Sequence, residues 1–513
     1  MRKVLPLASL VVILLFIPAA CAAADIYITQ NTSGGDSGAN CANAHSSSWF
    51  NSNAAGGNIY HLCGTFTGTA GQNMLVAPAG SAGNILTILF EPGTIMTAPH
   101  WGSNDGTYPT GGAITVNNYV TVDGGSNGII QNTQNGAAGT SCPGGTCTSN
   151  ISAGIYVAPG KTDVEIRNLK IQNIYLCNSS SSCGSFYSAG IKSSGSKTNF
   201  SVHDNVITGT SVGIYLEYSG SVLNNVNIYN NTLSDQYWGI NVGSGSSGNS
   251  TTNVNIYGNT MSNFDTWQNT TAHEDGIIVF STSAANVFNI YNNFVSAHGN
   301  LTGNVFCTYG SSSPGASCNI FNNVLYVNNN TCSAIGGGRA IWLHGGSGPH
   351  ALMNNTVIGP GGSCPLIYLE SSTSVTRFDN NLLTGSTIGV ENGQAYSGSF
   401  SNADYNLYYN ITYPGLADGS SNTYYTLTQW KALGYDVHAV TGNPNLDSNY
   451  MLQAGSAAIG AGTNLTSLGI TALDSDKAGG ARPASGAWDI GAFQFGSQTG
   501  GIDPPSGLSA TVK

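Results

Sequence analysis

Val226-Asn227-Ile228-Tyr229-Asn230-Asn231-Thr232-Leu233 decides the fold of this chain. Val226 and Ile228 are spaced by two and share one face of a strand, because strand side chains alternate sides. The Asn pair marks a bend, and Thr232-Leu233 begins a new strand. The pattern also appears as Val-Glu-Ile-Arg-Asn168, Ser-Val-His-Asp-Asn205, Asn-Ile-Tyr-Gly-Asn259 and Asn-Ile-Tyr-Asn-Asn293. It continues as Asn-Ile-Phe-Asn-Asn323, Ala-Leu-Met-Asn-Asn355 and Arg-Phe-Asp-Asn-Asn381. Successive Asn residues lie 37, 26, 28, 34, 30, 32 and 26 positions apart. A short fixed motif with variable filler is the mark of a solenoid whose loops absorb the variation.

A second strand follows each bend: Gly190-Ile-Lys192, Gly213-Ile-Tyr-Leu-Glu217, Gly239-Ile-Asn-Val242, Gly276-Ile-Ile-Val279, Ala340-Ile-Trp-Leu-His344 and Leu366-Ile-Tyr-Leu-Glu370. No segment of helical period separates these strands. Such units stack as coils with parallel pairing. The expected fold is all-β, a single-stranded right-handed parallel β-helix with terminal caps. In a stack, the repeated Asn occupies the same bend of every coil, where its amide can bond the backbone and its neighbours above and below.

These repeats resemble those of pectate-lyase-like proteins, the right-handed β-helix superfamily. The resemblance runs from about Thr115 to Gly398. It implies the fold, but little about chemistry, since that architecture hosts lyases, hydrolases, epimerases and adhesins. The Asn-Thr-Asp, Gly-His-Gly and Arg-Ile-Lys set of polygalacturonases is absent. So are the Arg-x-Pro-x-x-Arg of classical pectate lyases and the Asp-Pro-His-Asp of alginate epimerases.

The chain divides into five parts. Residues 1–24 read as a signal peptide: Met1-Arg2-Lys3, an apolar run from Val4 to Pro18, and an Ala-rich end before Asp25. A lipid anchor through Cys21 is the weaker alternative, because Pro18 stands where such signals carry an aliphatic residue. Residues 25–110 read as an N-terminal cap and first coils, 111–425 as the β-helix, 426–496 as a C-terminal cap segment and 497–513 as a linker or tail. Within the cap, Leu427–His438 reads as a short helix or loop, and Asp474, Arg482 and Asp489 as ion pairs. The cap resembles the terminal segment of secreted bacterial β-helix proteins, with Ala457 and Phe493-Gln494 as departures from its usual pattern. The expected location is therefore secreted, extracellular or periplasmic.

Charged residues make up only 7% of the chain, with a net charge of −11. Such a surface repels nucleic acid and anionic lipid, so neither is an expected partner. No apolar run is long enough for a membrane span, and the expected state is a monomer. After the leader, the cysteines fall as neighbours in sequence: Cys41 and Cys63, Cys142 and Cys147, Cys177 and Cys183, Cys307 and Cys318, Cys332 and Cys364. An even set in an exported chain reads as disulfides. Cys177–Cys183 and Cys307–Cys318 are expected bridges, since each pair brackets a short Ser/Gly-rich loop.

The second strands project Lys192, Tyr215, Glu217, Asn241, Trp342, His344, Tyr368 and Glu370 outward, with Trp238, His273-Glu274-Asp275 and Arg339 just upstream. Aromatics interleaved with carboxylate, amide and imidazole suit sugar rings, which offer CH faces and hydroxyls. The expected partner is a polysaccharide. Lys192, Tyr215, Trp238, Asn241, Trp342, Tyr368 and Glu370 are the candidate binding residues. His273, Glu274 and Asp275 concentrate charge in a charge-poor chain, and with Glu217, Arg339 and His344 they are the candidate catalytic residues. A hydrolase needs two carboxylates, and Glu217 and Asp275 lie about two coils apart, or about 9–10 Å. A lyase needs a base, His273 or Lys192, and a cation, Arg339 or Ca²⁺. No cofactor is required by this reading, and Ca²⁺ on Glu274 and Asp275 is its metal alternative. The competing reading is a non-catalytic cell-surface or matrix adhesin that binds glycan.

Overall fold

The computed structural model describes residues 23–126, 128–134, 150–174, 187–217, 222–243, 250–264, 274–281, 286–297, 302–309, 316–327, 338–346, 348–393, 399–418 and 422–497. The leader up to residue 22, the tail from 498, His273, and Cys142, Cys147, Cys177, Cys183 and Cys332 lie outside them.

One coil shows how the sequence builds the stack. Val222–Tyr229 forms a first face and pairs in parallel with Lys197–His203 on one side and Ser250–Tyr257 on the other. Asn230 then turns the chain with φ 53°, a left-handed conformation that Asn tolerates better than most residues. Thr232–Gly243 forms a second face, bends at Asp235 with φ 56°, and runs on as a third. Its first part pairs with Thr260–Ser262 and its last part with Asp275–Phe280. Every coil repeats this path, and the pairing is parallel from Asp25–Thr29 through to Tyr413–Ala417. The chain is the parallel β-helix that the repeat predicts.

The period-two residues fill the interior. Val226, Ile228, Val254, Ile256, Phe288 and Ile290 are wholly buried. Each such side chain contributes about 1.5–3 kcal/mol. The open ends are closed by short helices. Ser47–Asn53 lays Phe50 edge-on against Tyr60. At the other end Leu427–Ala432, started by a Thr426/Gln429 capping box, buries Trp430. Trp430 rests on Gly415, where a Cβ would stand 2.4 Å from the indole.

The Asn ladder is continuous. Asn231 donates from its backbone and its amide to Asn259 Oδ1, at 3.0 and 2.9 Å, and its amide also reaches Val202 O. The same linkage joins Asn259 to Asn293, Asn293 to Asn323, Asn323 to Asn355 and Asn355 to Asn381. It runs two steps beyond the repeat read from sequence, through Asn406 to Asp436. Asn168 is a correction. It occupies the left-handed position, φ 57°, one residue before the ladder site, which Leu169 fills. The ladder begins at Asn205, because an aliphatic side chain has no amide to continue it.

Outside the first face, His203, Tyr229, Tyr257, Tyr291 and Phe321 stack ring on ring at 4.5–4.9 Å. His203 bonds Glu165 at 3.0 Å and Asp204 at 2.6 Å. Burial works against its protonation, but these carboxylates outweigh burial and hold its pKa above the usual value. A base with a raised folded pKa contributes stability that is complete below its unfolded value, about 6.5, and is lost as pH rises through the folded one. Denaturation of wild type and His203→Asn at pH 6 and pH 9 is expected to show the larger difference at pH 6. An equal difference at both would remove the imidazolium from the account.

The C-terminal segment runs back along the bends. Asn380, Asn354 and Asn322 donate to Thr463, Asp489 and Ser475 carbonyls, and Lys477 donates to Asn292 O at 2.7 Å. The expected ion pairs of Asp474, Arg482 and Asp489 do not form among the described residues. Buried Arg482 donates to Asn322 Oδ1, Gly491 O and Gln494 Oε1, and Asp489 accepts from the Gly460 and Phe495 amides. Backbone groups left over at an irregular chain end need these partners more than the charges need one another. Cys41–Cys63 and Cys307–Cys318 are disulfides, and Cys364 is disulfide-bonded as well. No helix among the described residues is long and apolar enough to cross a membrane.

Candidate functional site

The third face carries its outward residues in register. Tyr156, Lys192, Tyr215, Asn241, Ile278, Phe306, Trp342, Tyr368, Glu391 and Leu416 follow one another coil by coil. A second column runs Val212, Trp238, Asp275, Gly303, Arg339. Asp275 thus lies two coils from Arg339. Its Oδ1 leans over Gly303, where a Cβ would stand 2.8 Å away.

The middle of this face is packed shut. Tyr215, Trp238, Ile278 and Phe306 form an apolar cluster with Tyr108 and Tyr187. Lys192 is 2% exposed and directs its ammonium over the rings of Tyr215 at 3.6 Å and Tyr108 at 4.8 Å. Tyr187 stacks on Trp238 at 5.3 Å. Asn241, Glu274 and Asp275 are each 1% exposed. The open sheet groove expected here is instead filled by the chain's own aromatics, whose rings pack on one another and on the Lys192 ammonium.

Glu217 and Asp275 do not stand 9–10 Å apart. Leu216 pairs with Val242 and Gly243 with Phe280, so Glu217 is level with Phe280. That places it five residues along the strand from Asp275, or about 16 Å before the two strand spacings are added. Glu274 and Asp275 are consecutive in one strand and leave the backbone on opposite sides.

At the C-terminal end the face opens into a cleft of about 440 Å³, lined by Arg339, Glu391, Tyr413, Leu416 and Tyr424 among others. Beside it five of the residues singled out from sequence come together, and of these Arg339 lines the cleft. Trp342 Nε1 donates to Glu370 Oε1 at 2.7 Å, the Gly345 amide donates to Oε2 at 2.8 Å, and His344 Nε2 stands 3.7 Å from Oε2. Arg339 lies over Tyr368 at 4.4 Å and near Trp342 at 5.6 Å. Its Nη2 bonds Glu391 Oε2 at 3.1 Å.

Glu391 and Asp418 are additions that the reading of the sequence missed. Asn392 pairs with Ala417, so Asp418 follows onto the coil next to Glu391, and the two carboxyl groups are hydrogen-bonded. Burial lifts the pKa of Glu391, Arg339 pulls it down, and Asp418 raises it again, for a net rise. Burial, then the charges of Glu391 and Glu370, raise the pKa of the Tyr368 phenol. The signal for Glu391 was its strand, Ile388–Asn392, whose outward position continues the Trp342–Tyr368 column.

Elsewhere, buried His350 accepts from the Cys318 amide at 3.0 Å, and burial pushes its pKa down to about 3. Cys307, Cys318 and His350 form the one metal-like group among the described residues, and the disulfide already joins both sulfurs.

No family model and no curated protein matches the chain. Among solved structures, pectate lyase Pel9A is 15% identical, with 92% of this chain and 97% of that one covered and a TM-score of 0.43. XylC in complex with xylose is 10% identical, covering 92% and 98%, with a TM-score of 0.48. The A-module of the Azotobacter vinelandii mannuronan C-5 epimerase AlgE6 is 13% identical, covering 76% and 92%, with a TM-score of 0.29. The chain's own coil-upon-coil register, unbroken from Asp25 to Ala417, makes it a parallel β-helix protein.

Proposed function

We propose that this is an exported protein that binds and cleaves a polysaccharide in the cleft at the C-terminal end of the third face. The observation that carries the reading is the pairing of Arg339 and Glu391 on the wall of that cavity, with Tyr368 beneath the guanidinium and Asp418 hydrogen-bonded to Glu391. An aromatic column leads up to it through Phe306 and Trp342, stacked at 4.5 Å. Partly buried aromatics beside fixed donors and acceptors are what a sugar chain needs for recognition. The disulfides fit an oxidising compartment outside the cytosol. A closed middle face, with Lys192 already seated between two Tyr rings, favours a second reading in which the helix is a non-catalytic glycan-binding surface protein.

Incubation of the mature protein with a panel of neutral and acidic polysaccharides, with Ca²⁺ and with chelator, separates these. Release of reducing ends reports hydrolysis, and absorbance of unsaturated products reports elimination. Binding without either product supports the surface-protein reading. Asp275→Asn is expected to keep most activity if the cleft is the site. A loss of about a hundredfold or more, the scale of a lost acid or base, would return the chemistry to the mid-helix cluster.

A further inference from the structure

We propose that Glu391 and Glu370 are the acid and the base of a single-displacement glycoside hydrolysis. This assignment rests on the reading of the cleft as a glycan-cleaving site. The register supplies the spacing. Tyr368 pairs with Glu391, and Glu370 lies two residues further along the neighbouring strand. One strand spacing of ~4.8 Å and two residues at ~3.3 Å each put the two backbones about 8 Å apart. Both side chains leave the same side of the sheet, since Glu370 holds the outward Trp342 and Glu391 the outward Arg339. That backbone spacing, with both side chains on one side, suits the carboxyl separation of about 6.5–9.5 Å that admits a water and a sugar ring between acid and base. Burial, and then contact with the neighbouring carboxyl of Asp418, raise the pKa of Glu391 against the pull of Arg339, which favours the proton-donating form.

Glu370 differs in every respect. The Trp342 indole and the Gly345 amide each fix one of its oxygens. It is 23% exposed, as is His344 beside it, so water reaches it. A carboxylate accepts about four hydrogen bonds, and two sites remain for that water. Opposite environments for two nearby carboxyls are how one site holds an acid and a base at the same pH.

In the step, the glycosidic C–O bond breaks and its electron pair leaves with the departing oxygen, which takes the proton of Glu391. Water oxygen bonds to the anomeric carbon from the opposite side, and its proton passes to Glu370. Glu391 ends ionised and Glu370 protonated, and exchange with solvent restores both. Elimination needs neither the water nor the second carboxyl. Arg339 is engaged by Glu391, so the cleft is suited to a neutral sugar more than to a uronate.

Proton NMR of the first product formed by the wild-type protein tests the geometry without any variant. The expected anomer is inverted relative to the substrate linkage. Glu391→Gln and Glu370→Gln are each expected to lower kcat by about a hundredfold or more, with KM and thermal midpoint close to wild type. A retained anomer, or full turnover by Glu370→Gln while reducing ends are still released, would overturn the roles and leave the cleft as the cleavage site. Release of unsaturated product would overturn hydrolysis itself. A wild-type protein that binds a glycan of the panel and cleaves none would overturn both the roles and the cleavage reading.

Discussion

Asp436→Ala is expected to destabilise the protein by about 3–5 kcal/mol. Asp436 is wholly buried and ends the Asn ladder. Its Oδ1 accepts from the backbone and amide of Asn406, at 3.2 and 2.8 Å. Its Oδ2 accepts from the Tyr408 hydroxyl at 2.7 Å and the Trp430 indole at 2.9 Å. Alanine strands four buried donors from three residues, and each unsatisfied group costs about 1–3 kcal/mol before relaxation. The loss also unseats Trp430, which plugs the end of the interior. Asp436→Asn is expected to cost about half as much, because its oxygen still serves Asn406 while its NH₂ meets two donors. Denaturant midpoints followed by Trp fluorescence measure both. Equal midpoints for Ala and wild type would show that the ladder ends without need of an acceptor.

Arg339→Met and Asp418→Asn are expected to move the pH–rate profile in opposite directions. Both residues touch Glu391, one as a cation and one as a carboxyl. Removing the cation raises the pKa of Glu391 further, and the basic limb of kcat, which reports loss of the acid's proton, moves to higher pH. Removing the neighbouring carboxyl lowers it, and that limb moves to lower pH. A shift of about one pH unit is the expected scale for a lost charge at contact distance. Arg339→Met is also expected to reduce turnover by about a hundredfold, since the guanidinium holds both Tyr368 and Glu391 in place and small displacements are costly. Arg339→Lys is expected to restore the limb more than the rate, because a point charge lacks the planar contact with the ring. Limbs that move together, or not at all, would separate Glu391 from the proton-transfer step.

Period-two spacing in Val226-Asn-Ile228, and the Asn that follows it, were sufficient for the coil, the interior residues and the ladder. Those features are local: a strand alternates its side chains whatever lies beside it, and identical bends stack identical groups. The same logic orders Lys192, Tyr215, Asn241, Trp342 and Tyr368 along one column. Where a local signal was weak, the sequence misled. Asn168 matched the motif but is the left-handed bend residue itself: Arg167 is level with His203, so Leu169 stands where the next coil has the ladder residue Asn205.

Exposure and convergence belonged to the tertiary structure alone. His273-Glu274-Asp275 concentrates charge in a charge-poor sequence, yet Glu274 and Asp275 are buried and the register of the coils parts Asp275 from Glu217. Glu391 and Asp418 carry no motif, and they meet because adjacent coils bring Asn392 beside Ala417. Alternation along a strand fixes which side a residue faces. Whether that side meets water, an aromatic cover or a second carboxyl depends on residues tens of positions away, and only stacking of the coils brings those into contact.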